Sequence, residues 1–234
     1  MELNAQNIVY SNNEYFDVLD IFFEEQKKQG LEANKYILFS DIEFNNQIKT
    51  IKYQNNETYA KRLKTCLEKI SSEIILYQHE DMFLYDSPNI NKINKYIDFL
   101  KKSQYSFVRL ARTGDCEIKQ VREITSLYEI NNESNDFFAV QPTIWKRKEM
   151  INFLENGINM SIWDLEINSS QIAKKSKIFG LMHFENENKR GGHYNSSVWP
   201  YVATAIIKGK WNFIEYSEEL TKIEKIKKNK RIKL

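Results

Sequence analysis

The chain has 234 residues, 41% hydrophobic and 28% charged, which fits an ordinary globular protein with room for one substantial core. Its 34 basic and 32 acidic side chains nearly cancel, so no global field draws it to nucleic acid. Cys66 and Cys116 are too few for a disulfide scaffold and read as reduced thiols. The start, Met1-Glu2-Leu3-Asn4, lacks the basic and apolar regions of a signal peptide, and the longest nearly apolar run, 198–207, is well short of the ~20 residues that a membrane helix needs. A cytoplasmic protein is expected.

In chain order, a β-rich run at 8–11 closes on the turn signal Asn12-Asn13. Tyr15, Val18, Leu19, Phe22 and Phe23 then recur at helical spacing, and Gly30 supplies the stop. A buried strand at 36–41 follows, ending in the carboxylate of Asp41. This β-α-β order normally crosses over right-handed and makes the strands parallel. A short strand at 48–53 leads to a helix over 57–70, with Tyr59, Leu63, Cys66, Leu67 and Ile70 on one face. The strand at 74–77 runs into Glu80 and Asp81, an abrupt acidic pair, before a helix over 90–102 and a strand at 107–110.

The second half is less regular. A strand is predicted at 137–140, stopped by Gln141-Pro142, then helices over 145–154 and 161–173, the latter with Ser161 as N-cap. A strand over 177–184 precedes a polar loop, 185–197, that contains Gly191-Gly192-His193 and reads as mobile. No repeat, linker or composition shift marks a boundary. The chain reads as one domain over 1–220 and a basic segment over 221–234, which carries seven Lys/Arg against one Glu. That segment is either a solvated, fraying helix end or a peripheral contact with an anionic membrane or acidic partner, with Leu220, Ile223 and Ile226 as its apolar edge. Strands separated by helices predict an α/β fold with a largely parallel central sheet.

The segments "NIVYSNNEYFDVLDIFF…KYILFSD", "ETYAKRLKTCLEKISSEIILYQHEDMFLY", "VQPTIWKRKEMINFL…SIWDLE" and "IKGKW", in this order and spacing from about Ile8 to Trp211, resemble GT-A-type glycosyltransferases, the nucleotide-diphospho-sugar transferase type of bacterial and viral glycan synthesis. The resemblance implies one α/β/α sandwich with a mostly parallel sheet. It also implies a nucleotide-diphospho-sugar donor across the strand ends of the first half, and transfer of the sugar to a hydroxyl of a glycan acceptor bound over the second half. A non-catalytic glycan- or nucleotide-binding protein of the same fold is the alternative.

Particular residues carry these readings. Glu80-Asp81 stands where GT-A enzymes usually carry Asp-x-Asp, but the first acid is Glu and the spacer is missing. Asp81 is the leading candidate to hold Mn2+ or Mg2+, or to order the diphosphate, since such cations take carboxylate oxygens with substrate phosphates completing the shell. A turn cap is its alternative, and Glu80 could face either way on an extended segment. His79 reads as a structural neighbour. Ser11 and Asp41, at the first two strand ends, are candidate nucleoside contacts or turn residues. Arg62 is a candidate diphosphate partner or a solvated helix charge. Asp164 and Glu166 are candidate catalytic bases, to take the acceptor hydroxyl's proton. At i and i+2 on a helix at most one serves; the family pattern favours Glu166, and Asp164 complements the helix dipole if Ser161 caps. Trp163 could stack a sugar or pack in the core. The resemblance offers His183 as a further metal ligand, a satisfied surface histidine being its alternative; Arg190, His193 and Tyr194 lie in the glycine-containing loop, which reads as a plain loop or as a lid that closes over the donor.

Overall fold

The computed structural model describes residues 2–114, 119–134 and 137–231, and Cys116 lies outside them. Four strands, Gln6–Tyr10 (β1), Tyr36–Ser40 (β2), Lys49–Lys52 (β3) and Ile74–His79 (β4), pair in parallel in the order β3-β2-β1-β4. β1, β2 and β4 read as largely apolar runs because central parallel strands are covered on both faces; β2 is buried at every position, whereas the edge strand β3 buries only Ile51. The helices Phe16–Lys28 (α1) and Tyr59–Glu68 (α2) make the crossovers. Since β1 to β2 steps one way and β3 to β4 returns the other, right-handed connections put α1 and α2 on opposite faces. Ile90–Lys102 (α3) follows, capped by the Asn89 side chain on the Lys92 amide and burying Ile93, Tyr96, Ile97 and Leu100. A fully buried side chain of this kind contributes about 1.5–3 kcal/mol.

Beyond β4 the sheet continues through Phe107–Arg109 (β5), Lys119–Gln120 (β6), Leu127–Glu129 (β7), Thr143–Lys146 (β8) and Gly180–His183 (β9), in the order β4-β8-β5-β9-β7-β6. β8 is antiparallel to both its neighbours, and β7 is antiparallel to β9 and β6. All the other strands run one way, so the sheet is mixed but mostly parallel, as expected.

Three local expectations fail in the second half. There is no strand at 137–140: Phe137 and Phe138 are buried by their rings, against Phe107, Trp145 and Phe153, and not by a ladder. The strand is β8, beyond Pro142, and Trp145 belongs to it; the helix Arg147–Asn156 (α4) starts only after it. The helix expected over 161–173 breaks at Asn168 into Ile162–Ile167 (α5) and Ser169–Ser176 (α6).

The polar loop at 185–197 holds a small hairpin, Lys189–Arg190 (β10) with His193–Tyr194 (β11), turned by Gly191 at φ 58°. A second hairpin, Ile206–Ile207 (β12) with Lys210–Trp211 (β13), precedes Phe213–Thr221 (α7) and Glu224–Lys228 (α8). The basic segment does not fray where it is described. Leu220, Ile223 and Ile226 are buried against the body, so that apolar edge is not presented to a membrane. Lys225 pairs with Asp20 and Glu24 of α1 at 2.6 and 2.7 Å. No helix among the described residues is long and apolar enough to cross a membrane.

Candidate active site at the strand ends

The strand order places a switch point between β1 and β4: the chain leaves β1 toward β2 and leaves β4 toward β5, on the other side. In open α/β sheets ligands bind in the crevice at the carboxyl ends of such a strand pair. Ser11 follows β1 there, and Glu80-Asp81 follow β4, whose His79 stands opposite Tyr10. β8 contributes to the same edge because it runs backwards. Thr143 pairs with Tyr77, so Val140 and Gln141 lie level with the residues just past β4. The Val140 amide donates to Glu166 Oε1 at 2.9 Å, which brings Glu166 to this edge.

Beneath the acids lies a ring system. Tyr10 stacks on Tyr53 and on His79, each at 5.2 Å between centroids, with Tyr59 edge-on at 5.0 Å. His79 Nε2 meets the hydroxyls of Tyr59 and Tyr77 at 3.0 and 2.8 Å, and those two hydroxyls bond each other. Burial lowers the His79 imidazole to about 3, so it stays neutral at ordinary pH. These rings form a packed, hydrogen-bonded cluster at the end of β1 and β4. Tyr10, Tyr59 and Tyr77 sit in the apolar period of their strand or helix, so the sequence marks them as core, and the shared hydroxyl network goes unread.

Electrostatics distinguishes the two acids. Glu80 is buried, with Oε2 lacking a hydrogen-bond partner among the described residues. Burial and then the Asp81 charge push its carboxyl well above the ordinary value. Asp81 is half-buried; burial raises it to about 6 against the opposing hydrogen bond of the Ile206 amide. Of the two carboxyls only Glu80 feels a nearby cation, the Arg231 guanidinium, and the pair would fit a divalent ion, which would oppose both upward shifts.

The other candidates are placed as follows. Asp41 receives the Asn13 amide and the Asn55 side chain, both at 2.9 Å, and so ties the β1 turn to the loop after β3. Ser11 is buried, and its carbonyl accepts the Tyr53 hydroxyl at 2.7 Å. Arg62 lies 5.3 Å over the Tyr53 ring, with Nε and Nη2 on the carbonyls of Glu57 and Asn55. Asp164 completes a capping box with Ser161, which engages its Oδ2 twice. Trp163 is 71% exposed, so it does not pack in the core; it lies one turn from Glu166.

His183 is not brought to Asp81. It ends β9, with β8 and β5 between it and β4, about 14 Å of sheet at ~4.8 Å per strand. Its Nε2 lies 2.8 Å from Glu187 and 2.9 Å from Ser197, and Tyr96 bonds Nδ1 at 2.9 Å. With Glu185 it makes the one group of three metal-type ligands found among the described residues. Glu185 is also paired with Lys92. Of the suggested lid residues, Arg190 is held by Glu219 at 2.6 Å over the Tyr216 ring, and His193 and Tyr194 form β11. A groove of about 760 Å³ lies at the opposite edge, where β1–β3 begin, and holds none of these residues.

No protein-family model and no curated protein matches the chain. Among solved structures, CMP:2-keto-3-deoxy-manno-octonic acid synthetase complexed with CTP aligns with TM-score 0.50 and 11% identity, covering 80% of this chain and 92% of that one. The mannosyltransferase PcManGT from Pyrobaculum calidifontis, in complex with GDP-Man and Mn2+, gives 0.46 at 14% identity over 82% of this chain and 59% of that one. S. aureus TarS 1-349 gives 0.48 at 13% identity over 85% and 60%. The chain therefore has the GT-A-like nucleotidyltransferase fold, as the sequence resemblance implies.

Proposed function

We propose that this protein transfers a sugar from a nucleotide-diphospho-sugar donor to a hydroxyl of a glycan acceptor. The observation that carries the reading is the convergence of Glu80, Asp81 and Glu166 on the switch point between β1 and β4. The donor lies across the ends of β1, β2 and β4. Ser11 and Asp41 border the nucleoside, and Asp81 would hold Mn2+ or Mg2+, which would supply charge stabilisation for the departing diphosphate.

Glu166 is the base. Held through Oε1 by the Val140 amide, its carboxylate takes the proton of the acceptor hydroxyl as that oxygen attacks the anomeric carbon. The exposed indole of Trp163 stacks the acceptor sugar one turn away. Asp164 serves the helix cap and takes no part in transfer.

A non-catalytic nucleotide-binding protein is the competing reading, and one observation favours it: burial pushes the Glu80 carboxyl well above its ordinary value, which works against the charged form that a cation takes. The test is a thermal-shift panel of nucleoside diphosphates with and without Mn2+, followed by donor turnover in the presence of glycan acceptors. Stabilisation by one diphosphate together with sugar transfer is expected. Binding without transfer or donor hydrolysis favours the competitor, and no stabilisation by any nucleotide removes both.

A further inference from the structure

A diphosphate beside Glu80 and Asp81 adds several negative charges to a site already acidic, so it needs a fixed cation as well as a metal. Arg62 is not placed for this, since its Nε and Nη2 serve backbone carbonyls. A different guanidinium arrives from the opposite end of the sequence.

α8 is tied to α1 by Lys225, and its Ile226 is buried in the core. Asn229 then accepts the Trp211 indole N–H at 3.3 Å and donates to Asp17 at 2.9 Å. Arg231 follows. Its Nε and Nη2 pair with the two Asp17 oxygens at 2.7 and 2.6 Å, Nη2 also donates to the Glu14 carbonyl, and the guanidinium lies 4.6 Å from the Tyr15 ring. Glu14 and Tyr15 form the short helical turn just beyond β1, beside the end of β4. Nη1 has no hydrogen bond among the described residues, and the side chain is 17% exposed. The β12–β13 hairpin joins the two features: the Ala205 amide donates to the Asp81 carbonyl, and Trp211 holds Asn229.

We propose that Arg231 is a diphosphate-binding residue of the donor site, carried to the ends of β1 and β4 by the folded-back segment 224–231. The inference rests on the donor reading above. Asp17 and Tyr15 hold the plane of the fork, and the remaining N–H edge meets a phosphate oxygen. Because the fork is ordered beforehand, little side-chain freedom is lost on binding.

The test is titration calorimetry on the full chain with Mn2+, using ADP, CDP, GDP, UDP and dTDP, then the monophosphate of the tightest binder. In R231Q the diphosphate affinity falls at least about tenfold, ~1.4 kcal/mol, while the monophosphate affinity stays within about twofold. R231K recovers little of the loss, because a lysine keeps the charge but cannot make the two-point pair with Asp17 that aims the free edge. K225Q, which loosens α8 without touching the guanidinium, keeps the wild-type ratio of the two affinities. Unchanged diphosphate binding in R231Q, an equal loss for both nucleotides, or the R231Q pattern in K225Q overturns the assignment. A wild-type chain that binds no diphosphate overturns the donor reading and this inference with it.

Discussion

Asp81→Asn should make the protein more stable and less active, and the stability gain should depend on pH. Burial raises the Asp81 carboxyl from 3.8 to about 6, which corresponds to ~3 kcal/mol of disfavoured charge at 1.36 kcal/mol per pH unit. The side chain is half-buried, and screening by water reduces this to about 1–2 kcal/mol. The sign follows from proton binding. Between pH 4 and 6 the native state holds this proton more tightly than the unfolded chain, so stability falls as pH rises, and the whole cost is in place above pH 6. The amide is uncharged throughout and its oxygen still accepts the Ile206 amide. At pH 8 in EDTA the variant should melt about 2–8 °C above wild type, given ~2–4 °C per kcal/mol for a chain of this size. By pH 4 the gap should shrink to within about 1 °C. Mn2+ should raise the wild-type melting temperature at pH 8 and leave the variant unmoved, and sugar transfer should be lost. A gap that does not change with pH, or a variant less stable at pH 8, would refute the buried-charge argument.

Glu166→Gln should keep nucleotide binding, since its amide oxygen still accepts from Val140, while transfer falls at least ~10²-fold, the low end for loss of a general base. Steady-state kinetics beside calorimetry separates the two; loss of nucleotide binding would place Glu166 in the donor pocket instead. Gly180→Ala should destabilise by at least about 1–3 kcal/mol, because its Cβ would stand 2.2 Å from the Phe107 ring, itself 4.3 Å from Trp145. Urea denaturation with an unchanged midpoint would contradict that packing.

Much of the first half is legible in the residues because burial on both faces turns β2 and β4 into unbroken apolar runs. α3 is legible at both ends because Asn89 caps it and its stripe keeps strict spacing. β8 was hidden by composition: Thr-Ile-Trp-Lys is a weak run beside Pro142, and Phe137-Phe138 is a stronger one. Those phenylalanines answer to ring packing, which no period of two encodes. The break at Asn168 had a signal, the polar run Asn168-Ser169-Ser170, which the helical spacing around it masked. In the site, Glu80 and Asp81 stood out because an apolar run stopped on them. The Asp17–Arg231 pair spans 214 positions and has no local signature. The distance between Asp81 and His183 depends on strand order, which β8 alters by inserting between β4 and β5.

That insertion has a consequence for errors of alignment. Ile144 stands opposite Leu76 on one side and Val108 on the other, and Trp145 opposite Ile75 and Phe107. One four-residue strand is therefore the shared gauge from which both halves of the sheet take their frame. A slip by a single residue would turn Trp145 to the other face and misalign Tyr77 and Arg109 together, since Thr143 faces both. Shortening or lengthening the chain between Gln141 and Arg147 would thus disturb both halves of the sheet in one stroke, where the same change in an outer strand such as β3 or β6 would stay local.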